Sequence, residues 1–115
     1  MTDVVKLAGA MYGMDNIDRD IRRERIAQEE KFPDQHLCDG TGKGLWRNKA
    51  NTQKILNDAY GKAGSLTWQH VLEEEVLEAF AEKDPKLLRA ELVQVAAVCV
   101  RWIQDIDGAR EVSQT

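Results

Sequence analysis

Two cysteines and two prolines are all that the 115 residues contain, and no apolar run is long enough to span a bilayer. Cys99 lies within a helical apolar pattern and Cys38 in a glycine-rich stretch, so no disulfide framework is expected and a reducing cytoplasm is the natural compartment. The opening residues carry an apolar patch (Val4, Val5, Leu7, Ala8, Ala10, Met11). It has no basic flank and is broken by Asp3, Lys6 and Gly9, which argues against a signal peptide. No segment shows the alternation of a β-strand. The net charge of -4 offers no concentrated basic face, so nucleic acid is not the expected partner.

What is present is an ordinary globular balance, 43% hydrophobic and 31% charged, enough for a single helical domain over 1–115 with flexible ends at 1–14 and 109–115. Residues Asp15 to Lys31 read as a charged helix with Ile17 and Ile21 on one face, stopped by the Phe32-Pro33 step. Asp34 to Gly44, with Gly40, Gly42 and Gly44, is a loop. Leu45 to Tyr60 forms the next helix, bracketed by Gly61 and Gly64. A cap at Ser65 or Thr67 starts a third helix, which runs to about Lys83 and buries Trp68, Val71, Leu72, Val76, Ala79 and Phe80. Asp84 as N-cap and Pro85 at the first helical position open the fourth, whose stripe from Leu88 to Ile106 ends at Gly108. The short Asp84-Pro85 connection predicts an antiparallel αα-hairpin. The fold class is therefore all-α, a bundle of about four helices.

The informative charges lie in the last two helices. Glu75 follows Leu72 by three residues and precedes Ala79 by four, which puts it inside the apolar stripe. Glu78 sits one turn on at the edge of that face, and Glu82 follows by four. On the next helix Glu91 lies three after Leu88 and four before Val95, on the flank of the buried face, with Gln94 at its polar margin. Carboxylates facing a core are costly unless paired or bound to a metal. The nearby cations Lys83, Lys86 and Arg89 cluster at the turn rather than in the stripe. A hard divalent cation held from two facing helices explains the pattern better than a solvated acidic face does.

Glu74-Glu75-Val76-Leu77-Glu78, followed by Glu91-Leu92-Val93-Gln94, resembles the E-E-x-x-E … E-x-x-D signature of the MazG-like all-α nucleoside-triphosphate pyrophosphohydrolases. The resemblance covers Leu66 to Asp107, with a weaker echo over Lys31 to Gly42, which is similar to a segment of short bacterial and phage members. It implies hydrolysis of a nucleoside triphosphate or related nucleotide to monophosphate and pyrophosphate with Mg²⁺, or Mn²⁺ in its place. Glu75, Glu78 and Glu91 would be metal ligands, and Glu74 a ligand or a supporting group, with Glu74 and Glu75 in the catalytic role. The family's aspartate position is Gln94 here, whose amide oxygen can coordinate Mg²⁺ but brings no charge. That substitution motivates the alternative of a nucleotide- or second-messenger-binding protein without hydrolysis. The resemblance also implies a homodimer or homotetramer, which suits a long apolar last helix bearing Val98 and Trp102.

Other residues carry weaker signals. Lys86 and Arg89 open the last helix, where the dipole favours anions, and are the candidate phosphate contacts. Trp68 is a candidate base-stacking side chain, though helical tryptophans, Trp46 included, more often pack in cores. Lys43, Arg47, Lys49 and Lys54 read as a solvated helix face, with phosphate contact the other use. Gly40 to Gly44 lacks the phosphate-loop spacing and reads as a flexible turn. His36, Cys38, His70 and Cys99 fit no zinc signature.

Overall fold

The computed structural model describes residues 3–110, and every regular element among them is helical. In chain order these are α1 (Val4–Met11), α2 (Met14–Lys31), α3 (Gly44–Ala63), α4 (Trp68–Ala81) and α5 (Pro85–Gln104), followed by a π-helical turn over Asp105–Ala109. None of these helices is long and apolar enough to cross a membrane. The all-α expectation is borne out. By contacts the chain divides into two compact units, Asp39–Cys99 and Met1–Cys38 with Val100–Thr115.

Within Asp39–Cys99 the helix boundaries follow local chemistry. Thr67 caps α4 by accepting from the His70 N–H, while His70 Nδ1 accepts from the Thr67 N–H. This is a capping box with histidine where glutamate is usual, and it satisfies two of the free amides that every helix start exposes. At α5 the Asp84 carboxylate accepts from the Lys86 N–H at 2.8 Å, and its carbonyl accepts from Leu88 N–H at 2.8 Å. Pro85 fills the first position, where no donor is needed.

The close helix packing in this unit is α3 on α4. Ala50 and Asn57, seven residues apart on one face of α3, are the positions that this helix buries. A small residue and a hydrogen-bonding amide let the two backbones approach without leaving a polar group unsatisfied. Trp46 packs edge-on against Phe80 with ring centroids 5.1 Å apart, and Tyr60 stacks on His70 at 4.2 Å.

The stretch before α3 differs from the flexible turn expected of it. Gly42 N–H donates to the Phe80 carbonyl at 2.8 Å and Thr41 Oγ1 to the Glu82 carbonyl, so the chain is strapped across the C-terminal end of α4. Those carbonyls have no partner within the helix itself, which is why they accept. Gly42 adopts φ +85°, and a Cβ there would lie 2.0 Å from Lys83 Cγ, so glycine is required on both counts.

In the other unit, Val4–Met11 is helical where the sequence suggested a flexible end. Asp3 caps it by accepting from Val5 N–H at 2.8 Å. α2 buries Ile17 alone, in keeping with its charged sequence. Gln104, 5% exposed, donates to the carbonyls of Ala10 and Tyr12 at 2.9 Å each, which ties the end of α1 to the end of α5. Gly108 takes φ +118° in the π-helical turn, and the Tyr12 hydroxyl donates to the Asp107 carbonyl at 3.4 Å beside it. The polar tail expected at this end lies, from residue 111 onward, outside the described residues.

Replacing Gln104 with alanine should leave two carbonyls without their donor and destabilise the protein by about 1–3 kcal/mol. Urea unfolding followed by far-UV circular dichroism checks this; an unchanged midpoint would mean that water replaces both bonds at no cost.

Candidate metal centre

Residues three apart on a helix project from the same side, and this phase brings Glu75 and Glu78 of α4 together. Glu91, in the second turn of α5, meets them. One carboxylate oxygen from each of Glu75, Glu78 and Glu91 lies within 4.8 Å of the other two, and this is the metal-capable grouping among the described residues. The expected coincidence of these three side chains is thus present in the geometry.

Glu75 Oε2 and Glu91 Oε2 are buried and have no hydrogen-bond partner. A buried carboxylate oxygen without a donor is expensive, so the arrangement calls for a counter-charge. The ion pairs Arg25–Glu29, Arg47–Glu82 and Arg110–Asp105 involve none of the three. Burial pushes the Glu75 carboxyl above its ordinary range, and Glu78, Glu91 and Glu74 add to the rise by repulsion. Glu78 is raised in the same way, by burial first and then by Glu91 and Glu74, with Lys54 and Arg47 opposing.

A hard divalent cation fits this donor set. Oxygens around one Mg²⁺ at about 2.1 Å are separated by roughly 3 Å when adjacent and about 4.2 Å when opposite. A group spread over at most 4.8 Å reaches that spacing with side-chain adjustments of about an ångström. Three carboxylates also leave coordination positions for water and phosphate oxygens, as Mg²⁺ prefers.

The remaining candidates fall around this group. Glu74 is turned toward α3, where its Oε1 accepts from Asn57 Nδ2 at 3.1 Å. Gln94 lies exposed one turn beyond Glu91. Lys86 and Arg89 are exposed in the first two turns of α5, and Trp68 is half-buried at the first position of α4. His36 and Cys38 are exposed and form no metal-capable group with His70 or Cys99.

Sequence reasoning missed Asn57. This side chain is 7% exposed; its amide also donates to the His70 carbonyl at 2.8 Å and accepts from Gln53 Nε2 at 2.9 Å. The available signal was a polar residue seven after Ala50, in phase with the buried face of its helix. Arg47 and Lys54, assigned to a solvated face, stand on the side of α3 that borders the carboxylates.

No protein-family model, curated protein or solved structure matches the chain.

The raised carboxyls set a pH dependence. Between the ordinary value of 4.5 and the higher folded values, the native protein holds protons that the unfolded chain has released. The metal-free protein should therefore lose stability as pH rises through that window, and Glu75→Gln should flatten the loss. Thermal melts in chelator from pH 4.5 to neutrality read this directly; a melting temperature that rises across the window in wild type would contradict it.

Proposed function

We propose that this chain is a Mg²⁺-dependent pyrophosphohydrolase of nucleoside triphosphates or related nucleotides, of the MazG-like type. The observation that carries the reading is the convergence of Glu75, Glu78 and Glu91 from two helices with two buried oxygens unpartnered. The resemblance of Glu74–Glu78 and Glu91–Gln94 to the family signature supports the same conclusion.

Glu75, Glu78 and Glu91 would hold Mg²⁺ or Mn²⁺, with the Gln94 amide oxygen as a neutral fourth donor. Bound there, the ion neutralises polyphosphate charge and makes water more acidic. Glu74 keeps one oxygen on Asn57, and its other oxygen can accept a proton from the attacking water. That water adds to phosphorus, the bond to the pyrophosphate oxygen breaks, and pyrophosphate leaves. Lys86 and Arg89 are offered as phosphate contacts and Trp68 as a stacking surface for the base.

The hairpin of α4 and α5 and a homodimeric or homotetrameric state belong to this proposal. Leu87, Leu92 and Val93 along α5 are each more than half exposed, an apolar surface that a second copy would cover. Free Cys38 and Cys99 suit a reducing cytoplasm.

A second reading, a nucleotide- or second-messenger-binding protein that does not hydrolyse, is favoured by Gln94, which supplies no charge where the family signature has aspartate.

Incubation with a panel of nucleoside triphosphates and Mg²⁺ or Mn²⁺, with monophosphate and pyrophosphate quantified, separates the two. The enzyme should release pyrophosphate, and Glu75→Gln should lower the rate by about 10²-fold or more, as loss of a metal ligand does. A nucleotide that raises the melting temperature without being cleaved would favour the binding protein, and the absence of both effects would remove both readings.

A further inference from the structure

Two contacts fix how α3 runs along α4. Near the start of α3, Arg47 pairs with Glu82, just past the end of α4, at 3.9 Å. Ten residues later, Asn57 reaches Glu74 and the His70 carbonyl near the start of α4. The helices are therefore antiparallel, and advancing along α3 means moving back along α4. Lys54 stands two turns after Arg47 on the same side of α3, which brings it level with Glu75, two turns before Glu82. Both cations end in solvent: Arg47 and Lys54 are exposed, and Arg47 gives only a long, half-exposed contact to Glu82. Such a pair is weak and readily exchanged for a stronger anion.

From this register we infer that Arg47 and Lys54 form an anion clamp on the α3 side of the carboxylate group, which takes the phosphate chain of a polyphosphate ligand whose metal is held by Glu75, Glu78 and Glu91. The inference rests on the pyrophosphohydrolase reading of the same site. A triphosphate keeps net negative charge after one divalent ion has bound it, so it needs cations beyond the metal. Arg47 presents a planar fork suited to two phosphate oxygens, and Lys54 a point charge.

Inorganic tripolyphosphate, which carries no base, isolates the clamp. Titration calorimetry on the full chain with Mg²⁺ present would compare wild type with Lys54→Gln, Arg47→Gln and, as an equal loss of charge on the same helix, Lys62→Gln. Mg²⁺ alone would be titrated in parallel. Lys54→Gln and Arg47→Gln should each weaken tripolyphosphate about tenfold, the loss of one charge-assisted contact, and Lys62→Gln less than twofold. Mg²⁺ alone should bind the first two variants as well as wild type or better, because a cation beside the ligands has been removed. A variant that weakens both titrations marks a folding defect and counts against the clamp, as does tripolyphosphate binding that is unchanged or falls equally in Lys62→Gln. Should wild type bind Mg²⁺ with no loss in Glu75→Gln, the proposed site itself fails; Mg²⁺ bound through Glu75 with no role for Lys54 and Arg47 removes the clamp alone.

Discussion

Three carboxylates within 4.8 Å of one another repel, and a protein can keep them so only if the helices that carry them are held from elsewhere. The holding is done by α3 and by the two ends of α4. The α3–α4 contact, with Ala50 buried and Asn57 bridging to Glu74 and the His70 carbonyl, fixes α4 against a partner that carries no carboxylate of the group. The Thr41–Gly42 strap fixes its C-terminal end and the Thr67–His70 box its start. With α4 secured along its length, its carboxylates can stand close to Glu91 in spite of their repulsion.

This division of labour explains the polar character of the helix contact. An apolar residue at position 57 would pack, but it would leave the Glu74 carboxylate, whose charge already raises Glu75 and Glu78, without its donor. Asn57 supplies a donor without a charge of its own, so one side chain both closes the interface and keeps the carboxylates in order. Arg47 and Lys54 of α3 soften the field at Glu78.

Much of this was legible in the sequence because it is local. Thr67, Asp84 and Pro85 mark helix starts by chemistry that acts within three residues, and the phases of Glu75, Glu78 and Glu91 follow from helical geometry alone. What escaped depends on contacts distant along the chain. Glycines that read as flexibility at positions 40 to 44 are needed instead for a close approach at Gly42, which only the position of Lys83 reveals. Val4–Met11 looked like a loose end because its anchor, Gln104, lies more than ninety residues away. The short Asp84-Pro85 connection says nothing of the packing of α3 on α4, whose contacts through Asn57, Glu74 and His70 only the structure reveals.

The order of these attachments bears on how the chain acquires its structure. Asn57 and Glu74 are separated by 17 residues, so the α3–α4 pair closes a short loop and belongs among the early contacts of folding. Repulsion among Glu74, Glu75 and Glu78 is already present within α4, and Glu91 adds to it across a still shorter stretch of chain. The acidic group is therefore a strain the chain meets as soon as its helices form and pair, and the α3 contacts that hold α4 have to outweigh it from the start.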